Sequence, residues 1–198
     1  MLQTNYLQEN FELIDSKGWA LIELPLDFCQ KLLIGAQNRF HANEFTPAGI
    51  TQSEFIPLEA AIAIRSDLTC WLNLEKLTED ENSLVHFLNI IKDNLSDFFR
   101  IRLTHFECHY AIYQPGQSYK KHTDQTKNNN HRFFSFVIYL NENWQKKDGG
   151  TLLGYTNEKT IFEVLPLLGK MIIFRSDIEH EVIQSHKSRW SLTGWFRT

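Results

Sequence analysis

Hydrophobic and polar positions follow a helical period in the first half of the chain. Apolar residues recur at helical spacing over residues 3–16, 26–40 and about 79–100, which predicts three amphipathic helices. Between the first two, residues 18–24 alternate as a strand does and end at Pro25. In the third helix the apolar stripe is formed by Leu84, Phe87, Leu88, Ile91, Leu95 and Phe98. Such a stripe is typical of a helix packed against a sheet, so we interpret the helices as a scaffold.

After residue 103 the pattern changes to short segments with the period-two alternation of strands. Pro115-Gly116, Gly149-Gly150 and Gly169 separate them as turn residues do. The predicted strands cover residues 104–113, 118–124, 132–140, 150–155, 160–164, 170–174, 180–184 and 189–197. About eight antiparallel strands in so short a length predict a jelly roll, in which two sheets close over one core. We therefore expect a mainly β fold with flanking helices, a double-stranded β-helix of the cupin-like kind.

The segment from residue 41 to residue 61 has no clear period. It contains Pro47, Gly49 and Pro57, so we expect a loop or an irregular hairpin. Long loops without internal structure tend to be functional lids or disordered linkers. Its apolar side chains favour a lid, and they are Phe45, Ile50, Phe55 and Ile56.

Length and composition fit one domain. A chain of 198 residues with 42% hydrophobic content is long enough for one substantial core and too short to need two domains. We expect residues 1–198 to form that single domain. Residues 1–102 would supply the helical support and the loop, and residues 103–198 would form the jelly roll.

The net charge and the lack of targeting signals limit the kinds of binding partner and the compartment that we expect. A net charge of -4 argues against a nucleic-acid backbone as the main partner, because such binders usually carry a clustered basic excess. The start of the chain has neither a basic nor an apolar signal region, and no apolar run is long enough for a membrane span. Cys29, Cys70 and Cys108 are odd in number and lack a Cys-x-x-Cys spacing, which favours reduced thiols in a cytoplasmic protein.

His122, Asp124 and His180 are the candidate metal ligands. Two imidazoles and one carboxylate on one face suit a mononuclear non-heme Fe(II) oxygenase, because they leave coordination positions open for cosubstrate and O2. Residues at i and i+2 of a strand point the same way, so His122 and Asp124 can both face inward. A His-x-Asp pair also occurs by chance, and a lone histidine is more often a surface or core residue than a ligand.

Arg189 opens the segment Arg-Trp-Ser-Leu-Thr-Gly-Trp-Phe. A guanidinium deep in a barrel can bind both oxygens of the far carboxylate of 2-oxoglutarate. Ser191, Thr193 and Trp195 share its parity, so they would line the same wall if Arg189 points inward. Taken alone, the arginine is better explained by a surface salt bridge.

A run of ordered motifs between Tyr113 and Phe196 carries a family resemblance. The motifs read Tyr-Gln-Pro-Gly-Gln-Ser-Tyr-Lys-Lys-His-Thr-Asp, Val-Ile-Tyr-Leu-Asn-Glu-Asn-Trp, Asp-Gly-Gly-Thr-Leu, His-Glu-Val and Arg-Trp-Ser-Leu-Thr-Gly-Trp-Phe. They resemble the prolyl 4-hydroxylase-like branch of the 2-oxoglutarate and iron dependent oxygenases, and within it the bacterial relatives of the hypoxia-sensing prolyl hydroxylases. Upstream, Phe-Thr-Pro-Ala-Gly-Ile and Ile-Arg-Ser-Asp followed by Trp71 are similar to the segment before the barrel in that group.

The resemblance implies roles for single residues. It makes His122, Asp124 and His180 the iron ligands, and Arg189 the residue that holds the C5 carboxylate of 2-oxoglutarate. The Tyr139 hydroxyl would support that carboxylate, and Thr193 would lie in the same pocket. Tyr113 corresponds either to a tyrosine near the cosubstrate and iron or to a core aromatic that closes the barrel.

The resemblance also implies that the loop after residue 41 is a finger that folds over substrate. Its residues would be Phe45, Ile50, Phe55 and Ile56, with Arg65, Asp67, Arg132 and Trp195 around its base. Asp67 would pair with Arg132 and tie the finger to the barrel; the alternative is two unrelated surface charges. Lys120, Lys121, Lys127 and Arg132 form either a basic rim for an acidic substrate segment or an ordinary solvated face.

The implied activity uses Fe(II), 2-oxoglutarate and O2, with ascorbate as a reductant. It would hydroxylate an unactivated C-H bond of a prolyl residue in a protein and release succinate and CO2. The alternatives are a hydroxylase of a small molecule or free amino acid, and a jelly-roll metal-binding module without 2-oxoglutarate turnover. Neither a nucleic acid nor a membrane is an expected partner, and no oligomeric state is assigned.

Overall fold

The computed structural model of the protein describes residues 4–49, 64–125 and 131–198. Within these ranges the helices are α1 (Thr4–Lys17), α2 (Leu26–His41) and α3 (Glu79–Phe99), with a short 3-10 turn at Lys146–Asp148. Each of the three predicted helices is confirmed. In the described part of the chain, none of them combines the length and the apolar character needed to cross a membrane.

The strands form two antiparallel sheets. They are β1 (Trp19–Glu23), β2 (Thr46–Pro47), β3 (Leu68–Trp71), β4 (His105–Tyr113), β5 (Tyr119–His122), β6 (Arg132–Tyr139), β7 (Leu152–Thr156), β8 (Lys159–Val164), β9 (Lys170–Arg175), β10 (Glu179–Val182) and β11 (Arg189–Arg197). The larger sheet has the order β1-β9-β6-β11-β4-β3-β2, and the smaller has the order β5-β10-β7-β8. The predicted double-stranded β-helix is therefore confirmed, with every predicted strand present.

The sequence pattern missed the far edge of the larger sheet. There β3 pairs with β4, and the two residues of β2 pair with β3. Both strands are short, so neither carries enough alternating positions to be recognised from its period. The edge matters because β3 ends at Trp71, which lies beside residues of β4 and β11.

The buried carboxylate of Glu81 links helices α2 and α3. The Thr78 hydroxyl accepts a hydrogen bond from the Glu81 N–H, and the Glu81 carboxylate accepts one from the Thr78 N–H, which is a capping box. Both Glu81 carboxylate oxygens also accept hydrogen bonds of 2.8 Å from Arg39 of α2. The start of α3 is thereby fixed to α2.

Strand β6 shows how the larger sheet separates two apolar layers. Phe136 and Ile138 belong to the core beneath the helices, whereas Val137 and Tyr139 belong to the core between the sheets. This is the period-two rule for side chains in a strand. The candidate metal ligands and Arg189 line a cavity in this part of the fold.

Candidate active site

Strand pairing brings the predicted ligands together. His122 ends β5 and lies directly opposite His180 of β10, while Asp124 follows in a bend. The His122 Nε2 atom lies 3.6 Å from Asp124 Oδ1, and the His180 Nε2 atom lies 3.5 Å from Asp124 Oδ2. Among the described residues these three form a group that can hold a metal ion, with their ligand atoms within 4.8 Å of one another.

Backbone carbonyls set the tautomer of both imidazoles. His122 Nδ1 lies 2.7 Å from the Lys120 carbonyl oxygen, and His180 Nδ1 lies 2.9 Å from the Ile178 carbonyl oxygen. A carbonyl only accepts hydrogen bonds, so each Nδ1 carries the proton and each Nε2 presents a lone pair. This outer contact is the usual one for a histidine that binds a metal, and the donor set fits a metal ion.

The charge states also suit metal binding. Burial, together with His122 and against an opposing effect of Asp124, lowers the pKa of His180 to about 4, so this imidazole is neutral near neutral pH. Burial raises the pKa of Asp124, but His180, His122 and a hydrogen bond from Ser135 outweigh it and hold that pKa well below its usual range. A neutral imidazole and an ionised carboxylate are the forms that ligate metals.

A stack of side chains holds the His122 ring in place. Tyr119 lies parallel to it, with 3.6 Å between ring centroids and 17° between planes. The Arg65 guanidinium lies 4.8 Å from the Tyr119 ring, and it donates hydrogen bonds of 2.7 and 3.0 Å to the two carboxylate oxygens of Asp67. The carboxylate of Asp67 therefore supports the ligand through two intermediate side chains.

The expected pairing of Asp67 with Arg132 is wrong. Arg65, two residues before Asp67, binds both oxygens of that carboxylate, which is the strongest geometry open to it. Arg132 instead donates to Glu107 at 2.9 and 3.0 Å and lies 3.6 Å from the centre of the Trp195 ring. The alternative of two unrelated surface charges is wrong as well, because Asp67 is fully buried.

Arg189 is buried at the start of β11, opposite Tyr113. Its Nε donates a hydrogen bond of 2.8 Å to the Gly150 carbonyl, and one terminal nitrogen lies 3.3 Å from the Ser191 hydroxyl. Gly150 has a φ of +65°, and a Cβ atom there would come within 2.8 Å of the Arg189 side chain. Glycine is therefore required at this approach.

The contacts of Arg189 leave its charge unbalanced. Tyr113 and Tyr139 flank the guanidinium at 5.0 and 5.3 Å, and no carboxylate of the described residues pairs with it. The Tyr139 hydroxyl is buried without a hydrogen-bond partner among those residues, and burial raises its pKa, so it remains a proton donor. A buried cation beside a free donor favours an anionic ligand, because an unpaired buried charge is costly.

The metal-binding group and Arg189 line one cavity. Of the residues expected at the site, those that line it are Arg65, Asp67, Tyr113, His122, Asp124, His180, Arg189, Thr193 and Trp195. Tyr139 is not among the lining residues, but its ring lies 5.3 Å from the Arg189 guanidinium. Tyr113 lines the cavity and also belongs to the core between the sheets, so its position is compatible with both roles considered for it.

The residues expected in the finger are distributed differently. Phe45 does not line the cavity: it packs against Phe40 and Trp190, at 5.6 and 6.0 Å between ring centroids, on the helical side of the sheet. The Phe45 ring therefore packs against the hydrophobic core beneath the helices. Ile50, Phe55 and Ile56 lie outside the described residues. Of the predicted basic rim, Lys121 pairs with Glu158 at 2.8 Å, and Lys127 also lies outside the described residues.

Four site residues were not found from the sequence. Tyr119 stacks on a ligand, Ser135 and Ser176 lie behind Asp124, and His109 lines the cavity. His109 had a usable signal, because it shares the parity of Tyr113 along β4. No sequence pattern indicates Ser135 and Ser176, because the contact between their hydroxyls depends on the pairing of β6 with β9.

The chain is similar to known proteins in both sequence and fold. Residues 108–197 match the family model described as the 2OG-Fe(II) oxygenase superfamily. A crystal structure of a Pseudomonas putida prolyl-4-hydroxylase aligns with a TM-score of 0.86 and 31% sequence identity, covering 97% of this chain and 99% of that chain. The chain belongs to the 2OG-Fe(II) oxygenase superfamily. Within the superfamily it is prolyl 4-hydroxylase-like, as its motifs indicated.

Two further relatives of this oxygenase extend the comparison. A Trichoplax adhaerens prolyl hydroxylase, solved with a hypoxia inducible factor peptide fragment, has a TM-score of 0.85 at 22% identity, covering 100% of this chain and 94% of that chain. That likeness shows the fold. Prolyl hydroxylase EGLN3 of Homo sapiens is 34% identical over 85 residues, which are 41% of this chain and 35% of the relative. The match thus spans about a third of the length of the curated relatives.

Proposed function

We propose that the protein is a 2-oxoglutarate and Fe(II)-dependent dioxygenase that hydroxylates a prolyl residue in a protein, with release of succinate and CO2. One observation carries the proposal. A single cavity contains both a His-Asp-His group that can hold a metal and a buried guanidinium that no described carboxylate neutralises. This pairing suits a cosubstrate that chelates the metal at one end and carries a second carboxylate at the other.

In this proposal His122, Asp124 and His180 hold Fe(II). The bound iron supplies the redox chemistry by which O2 and 2-oxoglutarate react. Arg189 binds the C5 carboxylate with a planar pair of N–H groups, and the Tyr139 hydroxyl donates to the same carboxylate. Tyr113 and Thr193 close the pocket around the cosubstrate and help to exclude water.

The burial of Arg189 separates this proposal from a metal-binding module on the same fold. Such a module has no need of a charged side chain at 1% exposure, since burying a guanidinium costs folding free energy. The approach at Gly150 also reserves room for this particular side chain. Both features favour a function in which Arg189 meets an anion.

The protein substrate is supported by the similarity to prolyl hydroxylases, one of which was solved with a peptide fragment bound. A small molecule or free amino acid is the competing substrate class. Ascorbate as reductant and a cytoplasmic location complete the proposal. The cysteines Cys29, Cys70 and Cys108 are all free and buried, which supports a reducing compartment.

The test is a cell extract incubated with the Fe(II)-loaded protein and 2-oxoglutarate, with His180→Ala as the inactive control. Peptide mass spectrometry should find the mass of one added oxygen atom on a prolyl residue only with the active protein, together with formation of succinate. Added oxygen on a metabolite and on no polypeptide would make the substrate a small molecule. Absence of 2-oxoglutarate turnover with every extract would overturn the proposal as a whole.

A further inference from the structure

His109 is a buried titratable residue of the cavity that the proposed reaction leaves without a role. It lies in β4 opposite Thr193 of β11, and its side chain lines the same cavity as the metal-binding group. Its exposed fraction is 1%. Because Ala111 and Tyr113 have the same parity and also line the cavity, the histidine faces the reaction space and not the helical core.

Two indole rings hold the imidazole in place. The His109 ring centre lies 4.6 Å from that of Trp71 and 5.5 Å from that of Trp195, with tilts of 46° and 35°. Trp195 is buried, whereas Trp71 is 51% exposed. The centres of the two indoles are 6.2 Å apart, so the three rings form one cluster in which the imidazole contacts both a buried and a solvent-facing indole.

Neither nitrogen of His109 has a hydrogen-bond partner among the described residues, and the same holds for Trp195 Nε1. Buried polar atoms are almost always paired in native proteins, because an unpaired one keeps its full desolvation cost. Three such atoms on two adjacent rings beside a cavity are thus a site that a bound group can satisfy.

The hydrogen-bonding capacity of these three nitrogen atoms indicates which chemical group of a ligand would pair with them. A neutral imidazole offers one donor and one acceptor, and an indole offers a donor only. The nearby guanidinium groups of Arg65 and Arg132 are already bound by Asp67 and Glu107. An amide provides both an acceptor and a donor without adding charge, whereas a carboxylate has no donor and an ammonium has no acceptor.

We propose that His109, together with the Trp195 indole N–H, binds a backbone amide of the substrate next to the residue that is hydroxylated. His109 is then a specificity-determining residue that recognises a peptide group and discriminates against a free amino acid. The inference rests on the proposed function, since it names how that same cavity recognises a polypeptide.

The test compares the binding of two small probes to the Zn(II)-substituted protein saturated with 2-oxoglutarate. N-acetyl-L-prolinamide carries an amide on each side of the ring, whereas L-proline carries two charges instead. Binding is followed by NMR of nitrogen-labelled histidine side chains. The variants are His109→Leu, which removes both polar atoms, and His109→Gln, which keeps a donor and an acceptor. His105→Leu alters an exposed histidine of the same strand and is the matched control.

The wild type should bind N-acetyl-L-prolinamide with a shift of the His109 nitrogen signals. Affinity should fall roughly tenfold in His109→Leu, as for the loss of a buried hydrogen bond. His109→Gln should recover part of it, and His105→Leu should match the wild type. Melting temperatures and Zn(II) content check that each variant is folded and loaded.

Three results would overturn the inference. Equal affinity of the wild type and His109→Leu would remove His109 from recognition and leave the proposed prolyl hydroxylase untouched. Binding of L-proline in preference to the capped probe would also remove the protein substrate from the proposed function. A wild type that binds neither probe would reject the amide site, while the extract experiment still tests the hydroxylase independently.

Discussion

Ser135 of strand β6 donates a hydrogen bond of 2.6 Å to Oδ2 of Asp124. The hydroxyl of Ser176 lies 2.9 Å from the Ser135 hydroxyl, so two buried serines form a short chain that ends on the carboxylate. A charge-assisted bond of this length is strong. It fixes the direction in which Asp124 faces the two imidazoles and stabilises its ionised form.

Replacing Ser135 with Ala should weaken metal binding roughly tenfold to a hundredfold, the usual effect of losing an outer contact to a metal ligand. The change is small enough for the sheet to remain intact. Competition with a chromophoric chelator for Zn(II) measures the affinity directly. Ser191→Ala is the matched control, because Ser191 is an equally buried serine that contacts Arg189 instead. Equal metal affinity in the two variants would contradict a positioning role for Ser135.

Removing a ligand should have a larger effect. In His122→Ala, Asp124→Ala or His180→Ala, two donors remain, and two donors do not hold the metal on one face. Iron binding and 2-oxoglutarate turnover should be lost together while the melting temperature of the metal-free protein changes little. His105→Ala, His109→Ala and His186→Ala should keep their iron. Retention of iron and turnover by His180→Ala would show that the ligand assignment is wrong.

Arg189→Ala should separate the cosubstrate from the metal. Truncating one partner of a buried charge pair costs about 2 to 5 kcal/mol. The binding free energy of 2-oxoglutarate should become less favourable by that amount, while the affinity for iron stays unchanged. Titration of the iron-loaded variant with 2-oxoglutarate, followed by its absorption change, measures this. Arg175→Ala, which removes an exposed arginine paired with Asp177, should bind 2-oxoglutarate normally. Normal binding by Arg189→Ala would instead favour the metal-binding module.

Alternation along strands explains why much of this site was predictable. Arg189, Thr193 and Trp195 share one parity along β11, which predicts a common wall, and all three line the cavity. The ligands were identified by their residue types and by the surrounding motifs. Pairings between distant side chains were not predictable in this way, because they depend on strand register and on competing partners. Asp67 shows this, since its neighbour Arg65 occupies both carboxylate oxygens.

Packing explains the other differences. Phe45 was expected over the substrate because apolar residues in a long loop often form a lid, but its ring fills a space beside Trp190 of the core. A single apolar residue does not indicate which surface it will cover. The parity that His109 shares with Tyr113 predicts that it faces the cavity, but a histidine in a strand gives no sign in the sequence of whether its nitrogens are paired.

The buried state of His109 predicts a dependence of stability on pH. Burial, with the guanidinium groups of Arg65 and Arg132, lowers its pKa from 6.5 to about 3, against an opposing effect of Asp124. Between those pH values the unfolded chain binds a proton on this residue that the folded chain does not. The free energy of unfolding should therefore decrease as the pH falls from about 6.5 toward 3.

In His109→Gln this contribution is absent, so the melting temperature of the metal-free protein should decline less steeply over the same pH range. The pKa of His180 is lowered as well, but that residue is present in both proteins and its effect cancels in the comparison. Thermal denaturation in a chelating buffer at a series of pH values gives the two curves. His105→Gln, altered at an exposed position, should follow the wild type. Parallel curves for the wild type and His109→Gln would mean that His109 is protonated as readily in the folded chain as in the unfolded one.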